Sequence, residues 1–363
     1  APDISKDISP EFAYSADKWA SLRDNVMEYG ELADLVHEYN PTVRSNRSTL
    51  SDKKNQDLTE INDKLLSDAM DLWDDASSTD TDSYMGRMTA ANLDFAGNTL
   101  AQTADKNFMD AEMYKISYDQ TEANLVFQAQ QLMTTYKQSA YTMENLNANR
   151  ALAQASYEAT VARQAAGMAT QTEVLTSLKN VQDIDANILS AQKSTDNVYR
   201  SLLLMLGWSA DSQPEIRDIP EPDLARIGAM DPDADREQAL ANNYEIKSDE
   251  HKLQNLKTNE QADATKADLE DKRNQVYSSL KTQYNAVLDA KDALDAANIK
   301  LQLETVSMNA ASAKAATGNI SALELIQQQT SYTTAKNSVE TGKMQLTLAM
   351  EKYDWIKKGL TFS

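Results

Sequence analysis

Apolar residues return at seven-residue intervals through two stretches of this chain, and the two stretches keep the same phase. In the first, Val174, Val181, Ile188, Thr195 and Leu202 mark one seam, with Ile184, Ala191, Val198 and Met205 beside it. In the second, 151 residues later, the same positions hold Leu325, Tyr332, Val339, Leu346 and Tyr353, and then Ala335, Gly342, Ala349 and Ile356. A hydrophobic repeat of about 3.5 residues winds helices into left-handed coiled coils, so each stretch predicts a long helix paired with another. The fixed offset marks an internal duplication, which sets the architecture before any single residue is interpreted.

A partner helix precedes each stretch. Leu280, Val287, Leu294, Leu301, Met308 and Ala315 repeat every seven residues, with small Ala290, Ala297 and Ala311 between them. The earlier partner is less regular, with Leu125, Leu132, Leu146 and Ala153 in one stripe and Tyr136 and Met143 in another. Between the partners lie two related bends, Ala166-Gly167-Met168-Ala169-Thr170-Gln171-Thr172-Glu173 and Thr317-Gly318-Asn319-Ile320-Ser321-Ala322-Leu323-Glu324. Glycine enters the left-handed conformation that ends a helix without Cβ strain. Thr170 or Thr172, and Ser321, can then cap the next helix, while Glu173 and Glu324 place negative charge in its first turn, where the helix dipole favours it. The pattern predicts two long helical hairpins.

The rest of the chain divides around them. Residues 1–15 read as an N-terminal arm, and the first helical repeat runs over 16–208. Its first helix stops at Asn40-Pro41, because proline restricts the residue before it. A second helical stretch covers about 42–75, and the polar segment Asp74 to Asp82 reads as a loop. Helix resumes from about 83 to 166, with a break expected near Gly97 or around Thr103 to Lys106. Pro214, Pro220, Pro222 and Pro232 mark 209–235 as a connector, the second repeat covers 236–358, and 359–363 form a tail. From Asn40 to Gly167 is 127 residues but from Asn243 to Gly318 only 75, so the first repeat carries 52 more, expected as an added element near 76–110.

Composition narrows the class. Only nine Gly and seven Pro occur in 363 residues, too few for many turns, which fits a nearly all-helical, elongated protein. The net charge of −21 argues against a nucleic-acid partner and suits a solvated surface, a cation-favouring lumen or a basic partner. Cysteine is absent, so disulfides and thiol chemistry are excluded. No apolar run approaches the roughly 20 residues of a spanning helix. The start at Ala1-Pro2-Asp3 suggests a mature end left by a signal peptidase, hence an exported, extracytoplasmic protein.

Catalytic and metal chemistry find no support. His37 and His251 are the only histidines, each beside a glutamate, and neither has a Cys or His-x-x-x-His companion. The acidic run from Asp68 to Asp82 lacks the glycine and distal glutamate of a calcium loop. No phosphate loop, nucleophile elbow or triad is present, so neither an enzyme, a cofactor nor a metal is expected.

At the level of motifs the chain resembles the TolC-like outer-membrane efflux proteins, whose members contain two tandem repeats. Each repeat opens with an Ala-Leu-x-x-Asn-Pro-like helix, here Leu35 to Val43 and Ala239 to Ile246. Each bends at a Gly-x-x-x-x-x-Asp/Glu-Val-Leu segment, here Gly167 to Leu175 and Gly318 to Ile326, and Leu202 to Gly207 is similar to the family's close of the first repeat. The likeness covers about residues 30–358. It implies a homotrimer whose helices form a hollow α-barrel with an equatorial belt of connectors. The bends would meet an extracytoplasmic membrane-fusion adaptor of an efflux or ABC-type transporter through Gly167, Thr170, Thr172, Glu173, Gly318, Asn319, Ser321 and Glu324.

One family feature is missing. Members insert two transmembrane strands between the first and second helices of each repeat, and such strands need about 9–11 residues of alternating polarity. Lys257 to Asp268 is uniformly polar, and 76–110 lacks the alternation. A relative without the membrane β-barrel and with no direct membrane span is therefore expected, its far end capped by added helices. Two other readings stay open: a secreted or wall-associated structural or adhesion protein that binds host or surface ligands, and a monomeric coiled-coil bundle.

Overall fold

The computed structural model describes residues 9–54, 56–107, 109–256 and 259–362. The first eight positions of the expected arm, and Lys257 and Thr258, lie outside them. The structure is 82% helical. The first repeat runs α1 (Ala16–Leu22), β1 (Val26–Met27), α2 (Leu32–Tyr39), α3 (Pro41–Lys53), α4 (Leu58–Ser78), α5 (Tyr84–Lys106), α6 (Ala111–Ala165) and α7 (Gln171–Met205). The connector holds β2 (Glu215–Ile216) and α8 (Leu224–Ala229). The second repeat has α9 (Arg236–Asn242), α10 (Tyr244–Asn255), α11 (Asn259–Ala316) and α12 (Ala322–Lys357).

Two helical hairpins, α6–α7 and α11–α12, form the body. Free of proline and supported along their lengths by partners, α6 and α11 reach 55 and 58 residues, about 85 Å each at a rise of ~1.5 Å per residue. Between the hairpins α6 packs on α12, so the layer is ordered α7, α6, α12, α11. Burial follows that order. The inner helix α12 buries Thr330, Ala335, Asn337, Val339, Met344, Leu346, Thr347, Met350, Tyr353 and Ile356 on two sides. The outer helix α7 buries only Val174, Val181, Leu202 and Leu203.

An asparagine locks the base of each hairpin. Asn40 caps α3 by accepting from Thr42 N at 2.9 Å and Val43 N at 3.2 Å, while its amide donates to Met205 O at 2.8 Å. Pro41 follows at the first helical position, where no N–H is needed. Asn243 caps α10 through Ile246 N at 3.0 Å and donates to Gly359 O at 3.2 Å and Thr361 Oγ1 at 2.9 Å. One side chain thus turns the incoming chain and ties it to the end of the long hairpin.

Around these bases sit the apolar cores. Trp19, Leu22, Leu32, Leu35, Val36 and Tyr39 pack on Val126, Met133, Leu202, Leu203 and Leu206. Ile246, Leu280, Val287, Val339, Leu346, Met350 and Tyr353 make a second core. Leu360 and Phe362 of the tail fill the junction, with the Phe362 ring 4.8 Å from that of Phe127. The parallel pair β1–β2, with Glu215 N bonded to Asn25 O and Arg217 N to Met27 O at 2.9 Å each, clips the connector to the first repeat.

The added element differs in detail from the sequence expectation. The helix expected over 42–75 breaks after Lys53, and Asp57 starts α4 by accepting from Thr59 N at 2.8 Å. Helix α4 continues to Ser78, which moves the loop to 79–83. Gly97 does not interrupt α5. It lets α5 approach α4 closely, since a Cβ there would sit 2.6 Å from Trp73 Nε1 and 3.0 Å from Ala69 O. Ala69, Ala76 and Ala104 complete this small-residue seam. Helix α5 ends at Lys106, at the second of the two expected breaks, and Asp110 caps α6 by accepting from Met113 N at 2.9 Å. The α4–α5 hairpin supplies nearly all of the extra residues, and among the described residues the only strands are β1 and β2.

Candidate functional site

Both bends have the same geometry. At the end of α6, Gly167 takes φ +71°, Gly167 N donates to Gln164 O at 2.9 Å and Met168 N to Arg163 O at 2.7 Å. At the end of α11, Gly318 takes φ +70°, Gly318 N donates to Ala315 O at 3.1 Å and Asn319 N to Lys314 O at 2.8 Å. Each is a Schellman motif, which satisfies last-turn carbonyls that would otherwise lack partners.

The outgoing helices start with matching capping boxes. Glu173 N donates to Thr170 Oγ1 at 3.2 Å while Thr170 N donates to the Glu173 carboxylate at 2.6 Å. Glu324 N donates to Ser321 Oγ at 3.2 Å and Ser321 N to the Glu324 carboxylate at 3.0 Å. Of the two threonines that could cap the first bend, Thr170 does so, and Thr172 is exposed in the first turn. The backbone N–H and then the hydroxyl of Thr170 hold the Glu173 carboxyl below the usual range. At Glu324 the Ser321 hydroxyl and then its N–H do the same. These carboxylates stay charged at neutral pH and present fixed anions beside the turns.

The bends lie at one end of the molecule. Helices α6 and α12 run antiparallel, with Thr330 bonded to Ala148 O, Asn337 to Tyr141 O and Asn145, and Trp355 to Gln130. The ends carrying Gly167 and Gly318 therefore point the same way. Gly167, Thr170, Thr172, Glu173, Gly318, Asn319, Ser321 and Glu324 are all exposed, and Asn319 donates to Thr317 Oγ1 at 2.8 Å.

Two further Schellman glycines close the opposite ends of α7 and α12. Gly207 (φ +72°) and Gly359 (φ +114°) abut the ends of α2 and α9, where an added Cβ would meet Tyr39 O at 2.4 Å and Asn242 O at 2.3 Å. Gly207 stood out in the sequence as the end of a repeat. Gly359 did not, although it follows the last apolar heptad as Gly207 does.

Each histidine makes a close side-chain contact with a carboxylate. His37 Nδ1 is 2.5 Å from Glu122 Oε1, and His251 Nε2 is 2.6 Å from Asp110 Oδ2, so each repeat's leading segment is pinned to α6. A cleft of about 550 Å³ contains Asp34, His37, Arg47, Lys115 and Glu122, a mixture of charges with no single ligand character. Among the described residues no group of three His, Cys, Asp or Glu is placed to hold a metal ion, and no helix is long and apolar enough to cross a membrane.

Two antiparallel helical hairpins with co-directional tips, joined through the connector, make this the fold of the TolC-like outer-membrane channels. The outer-membrane channel OprN superposes over 99% of this chain and 96% of its own, with a TM-score of 0.60 and 12% identity. The CmeC outer-membrane channel of Campylobacter jejuni superposes over 99% and 92%, with a TM-score of 0.57 and 9% identity. The outer-membrane protein VceC of Vibrio cholerae gives 91% and 96%, with a TM-score of 0.51 and 11% identity. No protein-family model matches the sequence, and no curated protein matches it.

Proposed function

We propose that three copies of this chain close edge to edge into a hollow helical conduit outside the cytoplasm, and that its bends dock on the helical hairpins of a membrane-fusion adaptor serving an efflux or ABC-type transporter. The docking surface is Gly167, Thr170, Thr172, Glu173, Gly318, Asn319, Ser321 and Glu324. The observation that carries this reading is the pair of exposed tips at one end, built twice with the same turn, the same cap and the same fixed carboxylate.

The outer helices support closure by further copies. On α7, Leu175 and Leu189 are two heptads apart and more than half exposed, and on α11 Ile299, Leu303 and Val306 follow i, i+4, i+7 spacing and are still more exposed. Apolar stripes along both outer edges of a four-helix layer suit burial against a neighbouring copy. Catalysis plays no part in this reading.

The mass in light scattering should be about three times the 40.3 kDa chain. The pair Leu189→Glu and Val306→Glu should reduce it to the monomer by placing carboxylates in the closing seam. In a pull-down with a membrane-fusion adaptor of an efflux or ABC-type transporter from the same cell, replacing 166–173 and 317–324 by unrelated glycine-capped turns should abolish capture while leaving the mass unchanged. Undiminished capture would refute tip docking.

A further inference from the structure

The α4–α5 hairpin carries a feature that the packing of the single chain does not use. Counting heptads along α5, its inner face centres on two positions, Ala90, Gly97 and Ala104 on one and Gly86, Leu93 and Leu100 on the other, with the half-buried Ala96 and Ala101 at its two margins. A second heptad seam runs along the opposite face through Tyr84, Met88, Ala91, Phe95, Asn98 and Gln102. Every residue of that seam is exposed: Tyr84 is 69%, Met88 46% and Phe95 74% accessible, and Met85 flanks them. A helix with two heptad seams is built to pack on two sides.

Charge distinguishes the two helices. Helix α4 carries Glu60, Asp63, Asp68, Asp71, Asp74 and Asp75 against Lys64, whereas α5 balances Arg87 and Lys106 against Asp94 and Asp105. Parallel copies of α5 joined through the free seam would bring Met88 to Met88 and Phe95 to Phe95. The flanking pairs would set Arg87 beside Asn92 and Asp94 beside Thr99, with no like charges opposed. Copies meeting through α4 would oppose carboxylates. The acidity of α4 also disfavours an anionic bilayer as the occupant.

We propose that this face of α5 is a self-association surface, and that in the trimer of the preceding reading the three α5 helices meet through it. The assembly would then be closed or narrowed at the end away from the bends by a helical bundle. Tyr84, Met88, Ala91 and Phe95 form its apolar layers, and the carboxamides of Asn98 and Gln102 bond to their counterparts in the other copies. The copy number rests on the proposed trimer; the surface itself does not.

The absence of cysteine makes the test direct. Ala91→Cys in the full chain should form disulfide-linked pairs under copper-catalysed air oxidation, because like positions in a coiled-coil core lie within disulfide reach. Co-localised thiols at millimolar effective concentration should react about tenfold or more faster than a Ser67→Cys control on the exposed side of α4. Adding Met88→Glu and Phe95→Glu should abolish the link, and circular dichroism should report unchanged helix content. Trimer mass with Ala91→Cys no more reactive than the control would overturn the α5 contact and leave the trimer standing. Cross-linking in Leu189→Glu/Val306→Glu chains that no longer form trimers would sustain the contact and refute only the copy number. Flotation with phosphatidylcholine vesicles, lost in Met88→Glu/Phe95→Glu and unaccompanied by cross-linking, would assign the stripe to lipid and overturn the proposal.

Discussion

The four Schellman glycines form an internal series in which one substitution meets two surroundings. Gly167 and Gly207 share a φ near +71°, but a Cβ at Gly167 meets nothing within 4 Å, whereas one at Gly207 would lie 2.4 Å from Tyr39 O and 2.6 Å from Tyr39 Cβ. Gly167→Ala should therefore cost only the left-handed penalty of an L-residue, about 1–2 kcal/mol. Gly207→Ala carries the same penalty and must also move the end of α2, whose Tyr39 is buried in the core. Overpacking of this kind costs about 1–3 kcal/mol. Disturbing the 2.8 Å bond from Asn40 to Met205 O adds about 1 kcal/mol. The expected total for Gly207→Ala is roughly 3–6 kcal/mol, against 1–2 for the tip. Urea unfolding followed by helical circular dichroism measures the difference. With m of about 3 kcal/mol/M, the midpoint should fall by about 0.5 M for Gly167→Ala and by 1 M or more for Gly207→Ala. Gly318→Ala and Gly359→Ala should repeat the contrast. Equal shifts for Gly167→Ala and Gly207→Ala, whose φ values match, would refute the argument, because they would mean that backbone conformation alone, not the abutting helix, decides the cost.

Three other outcomes follow from single sites. Asn243→Ala removes a cap and the amide bonds to Gly359 O and Thr361 Oγ1, although Gly359 O keeps the Tyr244 N–H, which should cost about 1–3 kcal/mol in the same unfolding assay; Asn243→Asp should keep the cap but destabilise further, by setting a buried carboxylate oxygen against Gly359 O. Thr170→Ala and Ser321→Ala should each weaken their tip by about 1 kcal/mol, read as roughly fivefold faster amide exchange at Glu173 or Glu324 and, with the same m, a urea midpoint lower by about 0.3 M. Burial pushes the Asp110 carboxyl up, but the Met113 N–H and His251 outweigh it and hold the carboxyl below its usual range. Its stabilisation of the α5–α6 joint is thus fully present above the unfolded value of about 3.9 and is lost as pH falls through the lower folded value. Exchange of the Met113 amide should accelerate over that acid range in the native chain and be pH-independent, beyond intrinsic exchange, in Asp110→Asn.

The heptads, the two bends and their offset are local properties, and the sequence alone determines them. A Gly followed by Thr170 or Ser321 and then by glutamate specifies turn and cap within a few residues, without help from distant contacts. For the same reason both tips were legible down to the residue, apart from the choice between Thr170 and Thr172. The Asp57 and Asp110 caps were equally local but passed unnoticed: helical patterning ran across Asp57, and the end of α5 was legible only as one of two alternatives, Gly97 or Thr103 to Lys106.

Only tertiary structure decided which neighbour covers each apolar face. Periodicity marks Ile188 and Val339 as equivalent positions, yet Val339 is buried and Ile188 only half-buried, because α12 is enclosed by α6 and α11 while α7 packs along its length mainly on α6. The same limit explains Gly97, kept small by Trp73 across the hairpin, and Gly359, kept open by the end of α9. It explains the second seam of α5 as well. Amphipathicity is written along a helix every three or four residues, but whether a stripe meets its own chain, another copy or water depends on contacts between residues far apart in sequence.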